Sequence, residues 1–369
     1  MELNKKDARL FEVDAAKFFA IIFMICVHVY ERFGSFDFDS AIPDTPYRNI
    51  VEFLGGPLAA PVFMFCMGIG MIFTRHSEPT DFIKRGLKLW IMGYALNFFR
   101  QTLLMMIADA LGVDTGFSLI GGLLNVDILP FAGMAFITIG IMKKLKVPTW
   151  GMFGIAVIFQ AAGIWATKIH IESVAIATLV GLILPGGDHV AFPMTLWLIY
   201  PVLGMLLGEQ FRNREDRAQI YKRLMIASAV LFVALSAALV YNGYDLRMIY
   251  TLYQSSYYNQ TVISVLWIIP LVVLALGTNY FLLSGIKDSL MGRFIRHCSI
   301  NLTCIYVIQW LLIGYSLAVL TIMGVENTQQ PIPLIVGSFV LWIVSVAIMT
   351  LYKAITHSIA RRRGKIADL

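Results

Sequence analysis

The sequence predicts an all-α fold, a polytopic helical bundle that spans a membrane. Hydrophobic residues make up 58% of the chain and charged residues only 14%, and the mean hydropathy is +0.74. This composition does not suit a soluble globular domain. Apolar stretches close to the roughly 20 residues that a helix needs to cross hydrocarbon recur along the whole chain. We therefore expect a single integral membrane domain over residues 1–369, with no room for a soluble domain.

Ten of these apolar stretches are long enough to be transmembrane helices. A shorter one, at 171–185, favours a re-entrant or interfacial helix over an eleventh span. The ten spans are expected at about 16–34, 55–74, 86–108, 122–142, 147–166, 191–208, 224–242, 261–283, 299–323 and 333–355.

The basic residues predict which side of the membrane each loop faces, because short loops rich in Lys and Arg stay in the cytoplasm. Ten spans with both termini inside place nearly all of the 29 Lys and Arg residues on the inner side. An eleventh span would turn the later basic loops outward. The net charge of +6 is spread over several inner segments, so it indicates orientation in a membrane and no nucleic-acid partner. A bacterial inner (cytoplasmic) membrane is the expected location for a compact chain without sorting signals. The outer side keeps Arg32, Arg48, Arg100, Lys168 and Arg247.

The cysteines predict neither a metal site nor a disulfide. Cys26, Cys66, Cys298 and Cys304 lie in or beside apolar segments, and none of them forms a CxxC pair. The first apolar run has no small-residue cleavage site and is long enough to span, so we do not interpret it as a cleavable signal peptide.

The first span carries three ionisable residues on one face. Lys17 and His28 are eleven residues apart, which is about three helical turns and roughly 16 Å. Eleven steps of about 100° bring both side chains to nearly the same side, and Asp14 shares it. Ionisable groups inside a membrane are costly, so such residues are functional candidates. The alternative is structural: Lys17 as a positive-inside anchor and His28 as a histidine that bonds a neighbouring helix.

The chemistry of this face favours group transfer. An imidazole takes a proton from an attacking hydroxyl or amine and returns it to a leaving group. A cation at the cytoplasmic mouth, here Lys17, is suited to hold the phosphates of a donor. We therefore expect His28 to be catalytic and Lys17 to bind the donor.

Five ordered segments of the chain resemble a known family. The first, "RLFEVDAAKFFAIIFMICVH", resembles the "(I/L)D.LRG.A....M...H" signature of the membrane-bound acyltransferases. The resemblance extends both to the heparan-alpha-glucosaminide N-acetyltransferase catalytic family and to the family 3 acyltransferases, from about residue 8 to 315. The other four segments are "GGPLAAPVFMFCMGIGMIFTRH" with "FIKRGLKLWIMGY", "VDILPFAGMAFI", "FPMTLWLIYPVLGMLLGEQ" and "SINLTCIYVIQWLL".

The resemblance implies roles for individual residues. His28 matches the histidine proposed as the catalytic base of the family. Asp14 matches the aspartate of its first motif, which makes Asp14 a second catalytic candidate. Lys17 stands where the family has an arginine, and it lacks the planar fork for bidentate contacts. Phe18 replaces the motif glycine, and Gln309 stands where a late histidine is usual. The resemblance further implies acetyl-CoA or another acyl-CoA as donor, with no metal.

Other polar residues are candidates for binding. Basic side chains of one inner loop are expected to touch the donor phosphates, or else to attract lipid headgroups. At the outer end, Asp127 is expected to orient His28, to grip an acceptor hydroxyl or to cap a helix. Arg100 is expected either to pair with an outer carboxylate or to snorkel to the interface, and we favour the second. The donor candidates are Arg75, Lys84, Arg85 and Lys88, and the acceptor candidates are Asn125, Asp127 and Gln309.

The sequence thus predicts an integral membrane acyltransferase. It would move an acyl group, in the first instance acetyl, from cytoplasmic acyl-CoA to a hydroxyl or amino group of an extracytoplasmic glycan or lipid-linked sugar, with His28 as general base or acyl carrier. The alternative is a transporter or flippase of a small acid or lipid without covalent chemistry. Against it stands the absence of repeats and of broken span pairs in the sequence.

Overall fold

The protein is helical throughout the residues that the structure describes. The computed structural model describes residues 9–35, 45–113, 118–169, 171–186, 190–213, 216–251 and 257–362. Within these ranges, β-structure is limited to two isolated bridges, Gly34 with Thr328 and Val126 with Val190. The predicted all-α class is therefore confirmed.

The described residues form seventeen α-helices, together with a π-helical segment, Phe98–Thr102, and a 3₁₀ turn, Ser284–Ile286. The first nine helices are α1 (Phe11–Phe33), α2 (Pro46–Gly55), α3 (Ala60–Ile72), α4 (Pro79–Asn97), α5 (Leu103–Ala110), α6 (Leu119–Leu124), α7 (Ile128–Lys144), α8 (Thr149–Ala166) and α9 (Val174–Gly181). The others are α10 (Met194–Trp197), α11 (Ile199–Asn213), α12 (Arg217–Tyr241), α13 (Arg247–Tyr250), α14 (Val262–Leu283), α15 (Leu290–Ile300), α16 (Leu302–Ile322) and α17 (Pro331–Arg362).

Within the described ranges, eight helical segments are long and apolar enough to cross a membrane. The predicted span 86–108 overlaps α4 and α5, and the charged residues of α4 exclude it from the eight segments. The predicted span 122–142 overlaps α7, which is shorter than each of the eight. Ten spans therefore stay a prediction, as does the side of the termini, whose ends 1–8 and 363–369 lie outside the described residues. Within 171–185, α9 has only eight residues, too few to span. The eight segments are Phe11–Phe33, Pro46–Ile72, Thr149–Ala166, Met194–Arg212, Arg217–Tyr241, Val262–Ile286, Leu302–Ile322 and Pro331–Ala360.

Helix α1 lies at the centre of the bundle. It packs against α2, α3, α14, α15, α16 and α17. The charged residues Glu12 and Asp14 at its N-terminal end are buried in protein. By contrast, α12 exposes Ile226, Val230 and Val233. A polar centre with an apolar periphery is the arrangement that a lipid environment requires, because charged groups must be kept from hydrocarbon.

Glycines bring α4 and α7 into close contact. A Cβ atom added at Gly133 would lie 2.7 Å from the backbone nitrogen of Trp90 and 2.8 Å from the carbonyl oxygen of Gly86. Small residues are common where membrane helices approach closely, since packing drives their association. This contact matters for function because α7 carries residues of both cavities described below, and α4 carries residues of the larger one.

Replacing Gly133 by alanine is expected to destabilise the protein by about 1–3 kcal/mol, because the new methyl group must push two backbones apart. The same replacement at Gly154 of α8 is the control, since nothing lies within 4 Å of a Cβ atom there. SDS-induced unfolding of the purified protein measures both. Equal stability of the two variants would show that the α4–α7 contact is not tight.

Candidate active site

Residues on one face of α1 line two cavities, one towards each end of the helix. The larger, of about 590 Å³, lies at the end that carries Arg9, and we call it the basic cavity. Its lining includes Asp14, Lys17, Arg75 and Arg85. A volume of this size lies within the range of small-molecule sites. Three of its cations have no carboxylate partner among the described residues, which gives the cavity a positive character.

Asp14 is held by its neighbours within the basic cavity. The guanidinium of Arg9 donates from Nε to Oδ2 at 2.6 Å and from Nη2 to Oδ1 at 2.9 Å. The hydroxyl of Ser299, from α15, donates to Oδ1 at 2.6 Å. Both carboxylate oxygens are therefore occupied, and the residue is only 2% exposed. This geometry favours a positioning role, in which Asp14 ties the start of α1 to α15, over proton transfer.

Lys17 has no such partner. Its ammonium group makes no hydrogen bond and no salt bridge with any residue in the described ranges, although it lines the basic cavity. A cation held in a cavity without a counter-ion is available to an anionic ligand. Arg85, which lies with its Cζ atom 4.7 Å from the ring centroid of Phe136, and the exposed Arg75 share this cavity.

The two remaining donor candidates lie elsewhere on α4. Lys84 lines a smaller neighbouring cavity together with His76 and Arg85. Lys88 is exposed and is not among the residues that line the basic cavity. The structure thus brings Lys17, Arg75 and Arg85 together, places Lys84 next to them and leaves Lys88 outside.

The second cavity, of about 190 Å³, lies further along α1, and we call it the histidine cavity. His28 lines it, with Glu31 and Arg32 one turn further on. The predicted acceptor residues Asn125 and Asp127, which precede α7, also line it. Aromatic side chains complete the walls: Phe192, Tyr257, Tyr258, Tyr306 and Trp310.

His28 is positioned by α16. Its Nδ1 lies 3.3 Å from the amide oxygen Oε1 of Gln309, and its ring packs against Trp310 with centroids 4.0 Å apart. An amide oxygen accepts but does not donate, so this contact is a hydrogen bond in the tautomer that carries its proton on Nδ1. The other ring nitrogen, Nε2, then keeps its lone pair and has no hydrogen-bond partner among the described residues. This is the arrangement that a general base requires.

Gln309 therefore contacts the imidazole rather than the cavity. It is completely buried, and it is not among the residues that line the histidine cavity. The geometry therefore favours a positioning role, in which Gln309 holds the imidazole of His28. The substrate contact predicted for Gln309 stays a prediction.

Asp127 is the centre of a buried charged cluster. It lies 2.9 Å from Nη1 of Arg100, and the hydroxyl of Tyr306 donates to its Oδ2 at 2.8 Å. Its Oδ1 accepts from the backbone nitrogen of Ile128 at 2.7 Å and so caps α7. A capping role and an electrostatic role are thus combined in one carboxylate.

The π-helical segment places Arg100 within this cluster. Such segments insert a residue into a helix and are frequent at functional sites. Gly314 of α16 permits the approach, because a Cβ atom there would lie 2.5 Å from the carbonyl oxygen of Arg100. The Arg100 guanidinium lies with its Cζ atom 4.2 Å from the ring centroid of Trp310. Of the two alternatives for Arg100, the favoured one, snorkelling to the interface, is wrong, because its side chain is only 6% exposed. The side chain pairs with a carboxylate instead, that of Asp127.

The structure adds residues that the sequence did not single out. Trp310 contacts both His28 and Arg100, and Tyr306 binds Asp127. Glu31 follows His28 by three residues, which places both on one helical face. That spacing was the only available signal, because the aromatic residues look like ordinary membrane-helix residues.

The two cavities do not share a lining residue, but they come close together. On α7, Ile128 lines the histidine cavity and the next residue, Leu129, lines the basic cavity. On α16, Thr303 lines the basic cavity and Tyr306 the histidine cavity. The partition is therefore about one helical turn thick at α16, on the order of 5 Å. On α1, the buried Met24 lies on the side of the partition that faces the histidine cavity.

The fold and the two cavities define a multi-pass membrane protein with charged groups and a histidine arranged along one central helix. This chain belongs to acyltransferase family 3: the family model described as "Acyltransferase domain" matches residues 10–352. The predicted resemblance to that family is confirmed, and the class is that of a membrane acyltransferase. Neither a curated protein nor a solved structure matches the chain.

Proposed function

We propose that the protein transfers an acyl group, in the first instance acetyl, from cytoplasmic acyl-CoA to a hydroxyl or amino group of a glycan or lipid-linked sugar on the other side of the inner membrane. One observation carries this proposal: on one face of α1, Lys17 lines the basic cavity and His28 lines the histidine cavity. Neither the Lys17 ammonium nor the His28 Nε2 has a hydrogen-bond partner among the residues that the structure describes. The family to which the chain belongs supports acyl transfer as the reaction.

In this mechanism the basic cavity opens to the cytoplasm and binds the donor phosphates through Lys17, Arg75 and Arg85. The flexible thioether side chain of Met24 moves aside so that the thioester reaches His28. Nε2 takes the proton of the acceptor hydroxyl or amine while the oxygen or nitrogen of the acceptor attacks the thioester carbonyl. The new C–O or C–N bond forms, the C–S bond breaks, and the imidazolium returns the proton to the thiolate of coenzyme A.

The histidine also suits a second route. In that route Nε2 attacks the thioester carbonyl, the C–S bond breaks, and coenzyme A leaves as the thiolate, which gives an acyl-imidazolium. The acceptor hydroxyl or amine then attacks the acyl carbon, the bond to Nε2 breaks, and the proton of the acceptor passes to the thiolate. In both routes Trp310 and Gln309 hold the ring in place. The paired Arg100 and Asp127 supply fixed charges beside the reacting atoms, where they stabilise developing charge.

Purified protein incubated with acetyl-CoA labelled in its acetyl group tests the proposal. We expect saturable binding of the label and release of the coenzyme A thiol. Thiol release that continues without added acceptor would reflect hydrolysis by the same histidine. Absence of both binding and thiol release at millimolar acetyl-CoA would contradict the proposed donor.

Replacing Lys17 by alanine is expected to weaken acetyl-CoA binding by about ten-fold or more, because one charge-assisted contact to a phosphate is lost. The maximal rate at saturating donor should change much less, since Lys17 lies in the basic cavity and not beside His28. Equilibrium binding and initial rates measure the two effects. Lys222, an exposed residue of α12, provides the alanine control. An unchanged dissociation constant for the Lys17 variant would remove Lys17 from the donor site.

A further inference from the structure

The histidine cavity contains one carboxylate that none of the interactions described above uses. Glu31 lines the cavity, but it makes no hydrogen bond and no salt bridge within 4 Å to any described residue. The other carboxylate of the cavity, Asp127, is fully engaged with Arg100, Tyr306 and the start of α7. A carboxylate that faces a protein cavity without a partner is energetically costly, so a ligand that supplies a cation would stabilise it.

The charges around Glu31 leave room for such a cation. Arg32 is exposed at the cavity, with its Cζ atom 5.7 Å from the ring centroid of Trp310, and it forms no salt bridge within 4 Å with Glu31. Arg100 is already paired. The nearby aromatic faces of Trp310, Tyr257 and Tyr258 attract cations and stack on sugar rings. An unpaired carboxylate among aromatic rings is the usual setting for an ammonium group.

We propose that the acceptor is an amino sugar whose protonated amino group binds to Glu31, while a neighbouring hydroxyl is the group that His28 activates. This inference rests on the proposed function, because it assigns the acceptor of that same reaction. Three residues of helix separate Glu31 from His28 by about 4.5 Å along the axis, a span comparable to one sugar ring. An amine that is held as ammonium is not nucleophilic, so the hydroxyl is acylated and the amino group serves recognition.

Binding of two matched oligosaccharides tests this assignment without any donor. The probes are the glucosamine tetramer, which carries ammonium groups, and its fully N-acetylated counterpart, which does not. Isothermal titration of the full-length purified protein should give about ten-fold or greater preference for the glucosamine tetramer, the effect of one charge-assisted contact. Equal binding, a preference for the N-acetylated tetramer, or no binding of either at millimolar concentration would overturn the proposal.

Substitutions then locate the contact. The variant Glu31→Gln should bind both tetramers within about two-fold of each other, whereas Glu31→Asp, which keeps the charge, should retain a preference for the cationic one. Glu172→Gln is the control, since Glu172 is exposed and lies outside the cavity. Retention of the full preference in Glu31→Gln would overturn the assignment to Glu31. These experiments measure binding without acetyl-CoA, so their results can be interpreted even if the proposed transfer reaction is wrong.

Discussion

Replacing His28 by alanine is expected to lower the rate of coenzyme A release from acetyl-CoA by about 10²–10⁴-fold, the usual contribution of a positioned general base. The loss should appear in the maximal rate. Donor affinity should remain close to that of the unmodified protein, because Lys17 and the arginines of the basic cavity are untouched. Initial rates across a range of acetyl-CoA concentrations separate the two quantities.

The matched control is His357→Ala, at an exposed position of α17 far along the chain. It should retain full activity. The amount of folded protein in the membrane should also be unchanged for the His28 variant, since the imidazole makes only one side-chain hydrogen bond among the described residues. Full activity of His28→Ala would exclude both the general-base and the acyl-carrier role.

Replacing Arg100 by methionine is expected to destabilise the protein by about 3–5 kcal/mol, because the buried carboxylate of Asp127 then loses its counter-ion. Both side chains are largely shielded, at 6% and 15% exposure. SDS-induced unfolding provides the measurement, and acyl transfer should fall together with stability.

A second substitution distinguishes the ion pair from the packing of Arg100. Asp127→Asn, introduced into the Arg100→Met variant, removes the uncompensated charge and keeps the oxygen that caps α7. Its amide NH2 takes the place of Oδ2, where it can donate to the Tyr306 hydroxyl that donated to the carboxylate. The double variant should therefore recover most of the lost stability. If it is no more stable than Arg100→Met alone, then the cost comes from lost packing against Trp310 rather than from the charge.

The sequence predicts those features of the molecule that depend on local pattern. Composition and the length of the apolar runs are sufficient for an all-α membrane protein. The spacing of Asp14, Lys17 and His28 is sufficient to place them on one face of α1, because a helix has a fixed periodicity. The structure places all three in cavities on that face.

The contacts between helices were beyond the reach of such patterns. Gln309 and Trp310 meet His28 from a helix near the other end of the chain, and no spacing rule links them. Arg100 was expected at the interface because a lone arginine near a span end usually snorkels. It turns inward instead because a π-helical segment, which contains neither glycine nor proline, changes the direction of its side chain.

Glycines show the same limit. Gly133 and Gly314 look alike in the sequence, yet one permits the α4–α7 contact and the other the approach of α16 to Arg100. Only the packing of the bundle assigns them these roles. The partition between the two cavities likewise depends on the relative heights of α1, α7 and α16, which the sequence does not encode at any single position.

The central claim is that an acyl group passes from the basic cavity to the histidine cavity. Its most direct test uses sealed vesicles in which the basic cavity faces the lumen, loaded with acetyl-CoA labelled in the acetyl group and supplied outside with the glucosamine tetramer. We predict labelled acetate or acetylated tetramer outside and the coenzyme A thiol inside, with neither formed by His28→Ala. Label that accumulates only in the lumen, on the side of the coenzyme A, would contradict the account.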